Sequence, residues 1–523
     1  MRMTTDRRTF LALGGSAGAA SALGALPALA QSPSPSASPA PPSTCTPQVC
    51  TVPTTAVPKP WTRPPDTVLA PRRSAWNLTL RELARLQAAY AKMAALPPDN
   101  PRSLQGQRNL HAYYCVTCDG GPGFPGGDIH FSWNFLPWHR MFLYFHERIL
   151  GGLIGDMSLR LPYWDWETPV HSILPPAYAM RLGNPLFNET LFLKSGQTVQ
   201  RLLTNYNTGK QRFYRLSLVH RLLHCSWDDF GGTARSTNPD APPAGGVVES
   251  GSHGFVHVSA GGDASRYDRL PCSGDMAILN TAARDPVFYA HHANLDRLWS
   301  SWETFGTNKN PSDPAWRNLA WSFFDEHGAW TTMTVAQMAD MEHALGYRYE
   351  SKILSAPALL RGVNVPNAAA TAKPMPERRI NLLAQPRANA RGNAALLANP
   401  ASVANAPSGE IVLGGLPVPG EGDFELIVRS SHGTYSLGDV FVTPHGGGHT
   451  MHANAQFNVC QPLWGDYVSP PTPDPKLIAA LLDTGKSFHL QPSSLGGPRL
   501  MAAAGAAALG TRVAPKRAEL VVR

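Results

Sequence analysis

The sequence predicts a mainly α-helical domain followed by a smaller β-rich one, and three observations predict it. In the first two-thirds of the chain, apolar residues recur at helical intervals beside the histidine-bearing stretches. Histidines there fall in pairs four apart, a spacing that places two side chains on one helix face. Beyond residue 405 the pattern changes to alternating runs, Glu410-Ile-Val-Leu and Phe424-Glu-Leu-Ile-Val-Arg, which read as strands.

At 523 residues, with 43% hydrophobic and 16% charged residues, the chain has room for two or three domains and a large core. The net charge of +8 is scattered and forms no basic stripe with interleaved aromatics, which speaks against nucleic acid and for simple solubility at a basic pI. No stretch after the N-terminal run reaches about 18 apolar residues, so no membrane span is expected. The oligomeric state is left open by the sequence.

Residues 1–30 read as a signal peptide. Arg7-Arg8-Thr-Phe10-Leu11 precedes a small-residue apolar run, and Ala28-Leu-Ala30 fits a cleavage site. Twin arginines resemble a Tat signal, so an exported protein, periplasmic or secreted, is expected; a plain Sec signal is the alternative. Seven cysteines then enter an oxidising compartment, where six can pair and one is left for another job. Residues 31–60 are a Ser/Pro-rich linker that Cys45 and Cys50 staple to the body.

Taken in order, a helix is expected from Ser74, with Leu78, Leu80, Leu83, Leu86 and Ala89 in period, ending before Pro97-Pro98. Leu110-His111-Ala-Tyr-Tyr-Cys115-Val-Thr-Cys118 follows, then a glycine-rich loop. Asp128-Ile-His130 leads to Pro137-Trp-His139 and a helix reaching Gly151, with the proline in its first turn. Further helical patterns cover 191–206 and 211–223. Residues 366–405 form an Ala/Asn/Pro/Arg-rich linker, 406–492 the β-rich domain, and 493–523 an Ala/Gly-rich, disordered tail.

Three His-x-x-x-His pairs occur, His220/His224, His253/His257 and His445/His449, where about 0.6 are expected by chance. His220/His224 lies on an ordinary amphipathic face. His445-Gly-Gly-Gly-His449 falls on a glycine-rich loop and lacks a preorganised helix. Only His253/His257 keeps suggestive company: Glu249 one turn earlier, glycine flanks, and Asp285-Pro-Val-Phe288-Tyr-Ala-His291-His292 with Asp296 downstream. Two imidazoles on one face, with a third from a neighbouring helix, hold a metal with open positions. Imidazole suits copper, zinc, iron or nickel, so ligand type does not name the metal.

The Asp285 to Asp296 pattern closely resembles the second copper signature of tyrosinases, catechol oxidases and molluscan haemocyanins, in which the ligand is the second adjacent histidine, here His292. His111, Cys115, His130 and His139 resemble the first signature of the plant polyphenol oxidase branch. Leu161-Pro-Tyr-Trp164-Asp-Trp166 is a further match, and Trp316 to Tyr349 resembles the short segment that follows the copper domain. The resemblance covers residues 75–350 and reaches weakly to 492. It implies a copper domain at 61–310, a short segment at 311–365, and two coppers held by His111, His130, His139 and by His253, His257, His292. The implied fold is a mainly α catalytic domain, a four-helix bundle around a dicopper site, followed by a small β-sandwich. O2 is the implied co-substrate and small phenols the partners, with o-diphenols oxidised to o-quinones and oxygen reduced to water. Zinc lacks the redox couple this needs.

The resemblance also implies a thioether from Cys115 to His130; a strained Cys115–Cys118 disulfide is the alternative. Ala112 stands where the plant motif has cysteine, so plant disulfide connectivity is not carried over. Asp296 is a candidate to orient the ligand imidazoles, or else pairs with Arg297 or another base. Glu249 is placed to take a phenolic proton, or else is a solvated loop residue. Gly254 stands where many tyrosinases have Asn, which implies weak or absent monophenol hydroxylation. Leu279 replaces a gating phenylalanine, which implies tolerance of bulkier phenols. Rival readings are a haemocyanin-like O2 carrier, weakened by the lack of tandem copper domains and the bacterial-type signal, and a latent proenzyme plugged by its C-terminal domain.

Overall fold

The computed structural model describes residues 54–115, 129–168, 171–181, 183–191, 225–234, 244–261, 274–304, 308–352, 378–383, 409–417, 422–442, 456–464, 475–492 and 511–522. The leader, Cys118, the His220/His224 and His445/His449 pairs and, apart from Leu191, the helical patterns expected over 191–206 and 211–223 lie outside these residues.

Five helices frame the first domain. α1 (Leu80–Ala94) starts at Thr79, whose hydroxyl accepts from the Glu82 N–H while the Glu82 carboxylate accepts from the Thr79 N–H. Leu86, Ala89, Tyr90 and Met93 make its buried stripe. The helix thus begins later than expected, at the Thr79 cap, while the Ser74 hydroxyl donates to Asp165 at 2.7 Å and accepts the Trp76 N–H at 3.2 Å. α2 (Leu104–Tyr114) is capped by the Ser103 hydroxyl. α3 (Phe135–Ile154) carries Pro137 in its first turn, where the missing N–H is tolerated, and closes at Gly155 with φ 68°. Every residue of α3 through Gly151 is buried. A π-helical turn, Val248–His253, runs directly into α4 (Gly254–Gly261). α5 (Pro286–Trp302) is buried throughout and capped by Asp285, whose carboxylate accepts the Val287 N–H at 2.9 Å. Helix α3 packs against both α1 and α5.

Short strands tie the ends of this domain together. β1 (Lys59–Pro60) and β2 (Ala70–Arg72) precede the helices, β3 (Ala244–Gly245) precedes the π-helical turn, and β4 (Ala320–Phe324), β5 (Trp330–Thr334) and β6 (Tyr347–Tyr349) follow α5. β1 joins β5 and β2 joins β6, both in parallel, so the segment after the helices is sewn to the N-terminal strands.

The remaining strands are β7 (Arg378–Asn381), β8 (Gly409–Pro417), β9 (Gly422–Ser430), β10 (Gly433–Val442), β11 (Gln456–Trp464), β12 (Ser487–Pro492), β13 (Thr511–Val513) and β14 (Arg517–Val522). They make two sheets, ordered β10-β9-β12-β13 and β3-β11-β8-β14-β7. Leu413, Leu426, Val428, Leu490 and Leu520 from both sheets share one apolar cluster with Ile478 and Leu481. β3, from the first domain, is an edge strand of the second sheet: Ala244 pairs with Gln456 and Gly245 with Phe457. Arg517 of β14 also donates to Asp229 in the first domain.

Two expectations are corrected here. The tail is not wholly irregular, because β14 inserts between β8 and β7, with Ala518 and Leu520 buried. The linker supplies β7, whose Ile380 is buried. Alternation over four to six residues was hidden by Ala-, Gly- and Pro-rich flanks, and neighbouring strands rather than propensity make these segments extended.

Among the described residues, no helix is long and apolar enough to cross a membrane.

Candidate metal centre

The six predicted histidines converge from six segments. His111 comes from α2, His139 from α3, His257 from α4 and His292 from α5; His253 ends the π-helical turn, and His130 lies in the segment before α3. None is more than 4% exposed. The His111 ring lies 5.5 Å from His130 and 5.6 Å from His139. His253 lies 4.4 Å from His257 and 5.1 Å from His292. The two trios face each other: His139 stacks on His292 at 4.3 Å with 9° between the rings, and His130 lies 6.0 Å from His253.

Proton accounting shows what these rings offer. His139 Nδ1 donates to the Phe135 carbonyl at 2.8 Å and His257 Nδ1 to the Met276 carbonyl at 2.6 Å. Each such bond fixes a tautomer and leaves the other nitrogen a lone pair. The Nε2 atoms of His257 and His292 face each other at 3.3 Å, while Nε2 of His139 and of His253 meets no hydrogen-bond partner. Burial first, then neighbouring imidazoles, pushes His111, His139, His253 and His292 well below the ordinary histidine range. Burial brings His257 down to about 3. Buried neutral imidazoles with unspent lone pairs fit a metal ion, since buried polar atoms otherwise find partners. His253, His257, His291 and His292 offer nitrogens within 4.8 Å of one another, as do His111, Cys115 and His130 with one ligand atom each. His139 belongs to neither group at that limit and bridges the two.

The adjacent histidines are separated by chemistry. The Trp166 indole N–H donates to His291 Nδ1 at 3.2 Å. Indole is a donor only, so this bond spends the Nδ1 lone pair of His291 and places its proton on Nε2. His292 Nε2 faces His257 Nε2 at 3.3 Å, and its Nδ1 meets no hydrogen-bond partner. The Trp-Asp-Trp motif was the signal for this anchoring role, which the sequence reading did not assign.

Around the rings, Cys115 Sγ lies 3.5 Å from His130 Nδ1 and 3.6 Å from His111 Nδ1. Glu249 is buried in the π-helical turn, not solvated, and accepts the main-chain N–H of Phe131 at 2.7 Å. Gly254 continues the helix with φ −58° and ψ −39°. Leu279 is buried and opens a single helical turn, Leu279–Ala282.

Asp296 is corrected: its carboxylate reaches no imidazole. It accepts from Arg140 Nε at 2.5 Å, Arg72 Nη1 at 3.2 Å, the Tyr347 hydroxyl at 2.6 Å and the Tyr349 hydroxyl. Burial would raise this carboxyl, but Arg140 and Arg72, with the two tyrosine hydroxyls, hold it below the usual range. Asp296 is the close counter-charge of buried Arg140 and shares buried Arg72 with Glu147, whose carboxylate lies 3.0 Å from Arg72 Nε. Arg297 pairs with Glu167 at 2.6 Å instead.

Residues 101–304 match the family model described as the common central domain of tyrosinase, and residues 310–356 match the polyphenol oxidase middle domain. Residues 101–356 thus carry the domains of the polyphenol oxidase branch of the tyrosinase family. It is 34% identical over 304 residues to a latent chloroplastic polyphenol oxidase of Prunus armeniaca, covering 55% of this chain and 49% of that one. It is 32% identical over 304 residues to aureusidin synthase of Antirrhinum majus, covering 55% and 52%. The chain thus spans about half the length of the curated relatives it matches. In fold it is similar to a latent aurone synthase structure (TM-score 0.62, 22% identity, 90% of this chain and 92% of that one). It is also similar to latent apple tyrosinase (TM-score 0.60, 23% identity, 89% and 98%). These neighbours share a tyrosinase-type helical domain followed by a C-terminal domain.

The export expectation is corrected by the same relatives. The polyphenol oxidases of Prunus armeniaca, Vicia faba and Malus domestica are chloroplastic by name, which points to plastid import rather than a Tat-dependent periplasmic or secreted route. Transit peptides also carry Arg and are poor in acid, as are residues 1–30, so those two features did not separate the routes.

Proposed function

We propose that this chain is a dicopper oxidase of small phenols that converts o-diphenols to o-quinones while O2 is reduced to water, with monophenol hydroxylation weak or absent. The observation that carries the reading is the pair of buried imidazole trios set face to face, joined by the His139–His292 stack. On this reading His111, His130 and His139 hold one copper and His253, His257 and His292 the other, within a four-helix bundle of α2, α3, α4 and α5. The two C-terminal sheets are read as a sandwich. Bound copper supplies the reversible one-electron couple and the O2 affinity.

The chain's own residues supply the rest. Burial keeps the imidazoles neutral and ready to bind metal. Glu249 has a second carboxylate oxygen to receive a phenolic proton. Gly254 offers no side-chain acceptor, and Leu279 presents a small aliphatic gate. A Cys115–His130 thioether restrains that ligand; forming it removes two hydrogens, with O2 as the acceptor. The reading is tested by metal analysis and quinone formation: two coppers per chain with catechol oxidation support it, and zinc binding without oxidation sinks it.

A latent form is a second reading, favoured by one observation. Edge strand β3 of the C-terminal sheet leads directly into the turn that carries Glu249 and His253. Cleavage between residues 384 and 408 followed by a rise in catechol turnover supports it, and unchanged turnover counts against it.

A further inference from the structure

We propose that Glu249 is a positioning residue for His130: it holds Phe131 in a left-handed backbone conformation and so sets the imidazole on the preceding residue. The inference rests on the reading of His130 as a copper ligand and adds to Glu249 a role distinct from proton acceptance.

His130 is unlike its five companions in lying outside any helix. No run of helical hydrogen bonds fixes its main chain, so its position depends on where the neighbouring peptide groups are tied. The Ile129 N–H reaches the Tyr114 carbonyl at 3.4 Å, and the Trp133 N–H reaches the Thr233 carbonyl at 3.0 Å. Between them the Phe131 N–H donates to the Glu249 carboxylate at 2.7 Å, the shortest of the three. A charged acceptor makes this bond stronger than a neutral pair.

The conformation it holds is an unfavourable one. Phe131 has φ 54°, the one positive φ of a non-glycine residue among the described residues. For an L-residue with an aromatic side chain that region costs on the order of 1 kcal/mol or more, and it persists where the surroundings enforce it. The surroundings here are tight. A Cβ built on Gly245 would stand 3.0 Å from Glu249 Oε2 and 3.1 Å from Phe131 Cα, so this glycine packs against both partners of the bond. Glu249 itself sits four residues before His253, on the turn that carries the opposite trio. One carboxylate therefore links the segment of one trio to the backbone of the other.

Substitution of the full chain separates positioning from proton transfer. Glu249→Gln keeps an acceptor oxygen, and Glu249→Ala removes it. The readouts are copper per chain, the Cys115–His130 cross-link seen as loss of two hydrogens in peptide mass, and thermal unfolding. Glu249→Gln is expected to retain both coppers and the cross-link. Glu249→Ala is expected to bind one copper roughly 10- to 100-fold more weakly, and to lose most of the cross-link. Two tightly held coppers and a full cross-link in Glu249→Ala overturn the proposal and leave Glu249 to act on substrate only. If Glu249→Ala does not fold, the double variant with Phe131→Gly, which adopts φ 54° without strain, is expected to recover folding; failure to recover overturns it too. His130→Ala is the control for the reading beneath: if it still holds two coppers, the ligand assignment has failed rather than the positioning role.

Discussion

His257 and His292 point their Nε2 atoms at each other across 3.3 Å, and both rings are held well below the ordinary range of histidine by burial. His257 spends its Nδ1 proton on the Met276 carbonyl and so presents an Nε2 lone pair here, which a cation or the proton of His292 must meet. His292→Ala is therefore expected to lower copper from two per chain to one. His291→Ala, which removes only the acceptor for Trp166, is expected to keep two and to lower the melting temperature. The opposite pattern in metal analysis would reverse the assignment of the adjacent histidines.

Asp296 neutralises Arg72 and Arg140 rather than an imidazole. Asp296→Asn removes the close counter-charge of buried Arg140 and one of the two that meet Arg72, which keeps Glu147, with an expected cost of about 3–5 kcal/mol in denaturant unfolding. Folded variant protein is expected to bind copper as the parent does. A loss of copper at unchanged stability would restore the ligand-orienting role.

Gly254 and Leu279 bear on which phenols react. Gly254→Asn places an amide acceptor directly after His253 and is expected to raise the ratio of monophenol to diphenol turnover. Leu279→Phe is expected to shift selectivity toward small catechols. Unchanged ratios in steady-state assays would remove these two residues from the account of specificity.

His146 reports on pH. It stacks on Tyr289 at 3.4 Å, contacts the Tyr90 hydroxyl at 3.0 Å, and burial holds its folded pKa well below the ordinary value. The unfolded chain takes up a proton near pH 6.5 that the folded chain refuses. The stability tied to this residue is therefore complete above about pH 6.5 and declines as pH falls, by up to ~1.4 kcal/mol per unit. In His146→Gln the fall between about pH 6 and 4.5 is expected to be shallower by that amount. Identical slopes in urea titrations would show that His146 is charged in the fold.

The parts of this site legible in the sequence are those written locally. His253 and His257 four apart, Pro137 opening α3, and Asp285 capping α5 follow from spacing and capping rules. What was hidden depends on distant partners. Asp296 sits one turn from His292 and invited the nearer reading, but Arg72 reaches it from 224 residues away. Glu249 reads as a possible base beside His253, whereas its bond to Phe131 spans 118 residues. β14 becomes a strand because β8 and β7 flank it, and no property of an Ala/Gly-rich tail announces that. The leader misled for another reason: both targeting routes carry Arg and little acid.

The most direct test of the central claim is simultaneous measurement of O2 uptake and quinone absorbance when catechol is added to protein loaded with two coppers. The account predicts both, at about two catechols oxidised per O2 reduced to water, since each catechol yields two electrons and O2 takes four. Two bound coppers with neither O2 consumption nor quinone, before and after cleavage between residues 384 and 408, would contradict it and favour a protein that only carries O2.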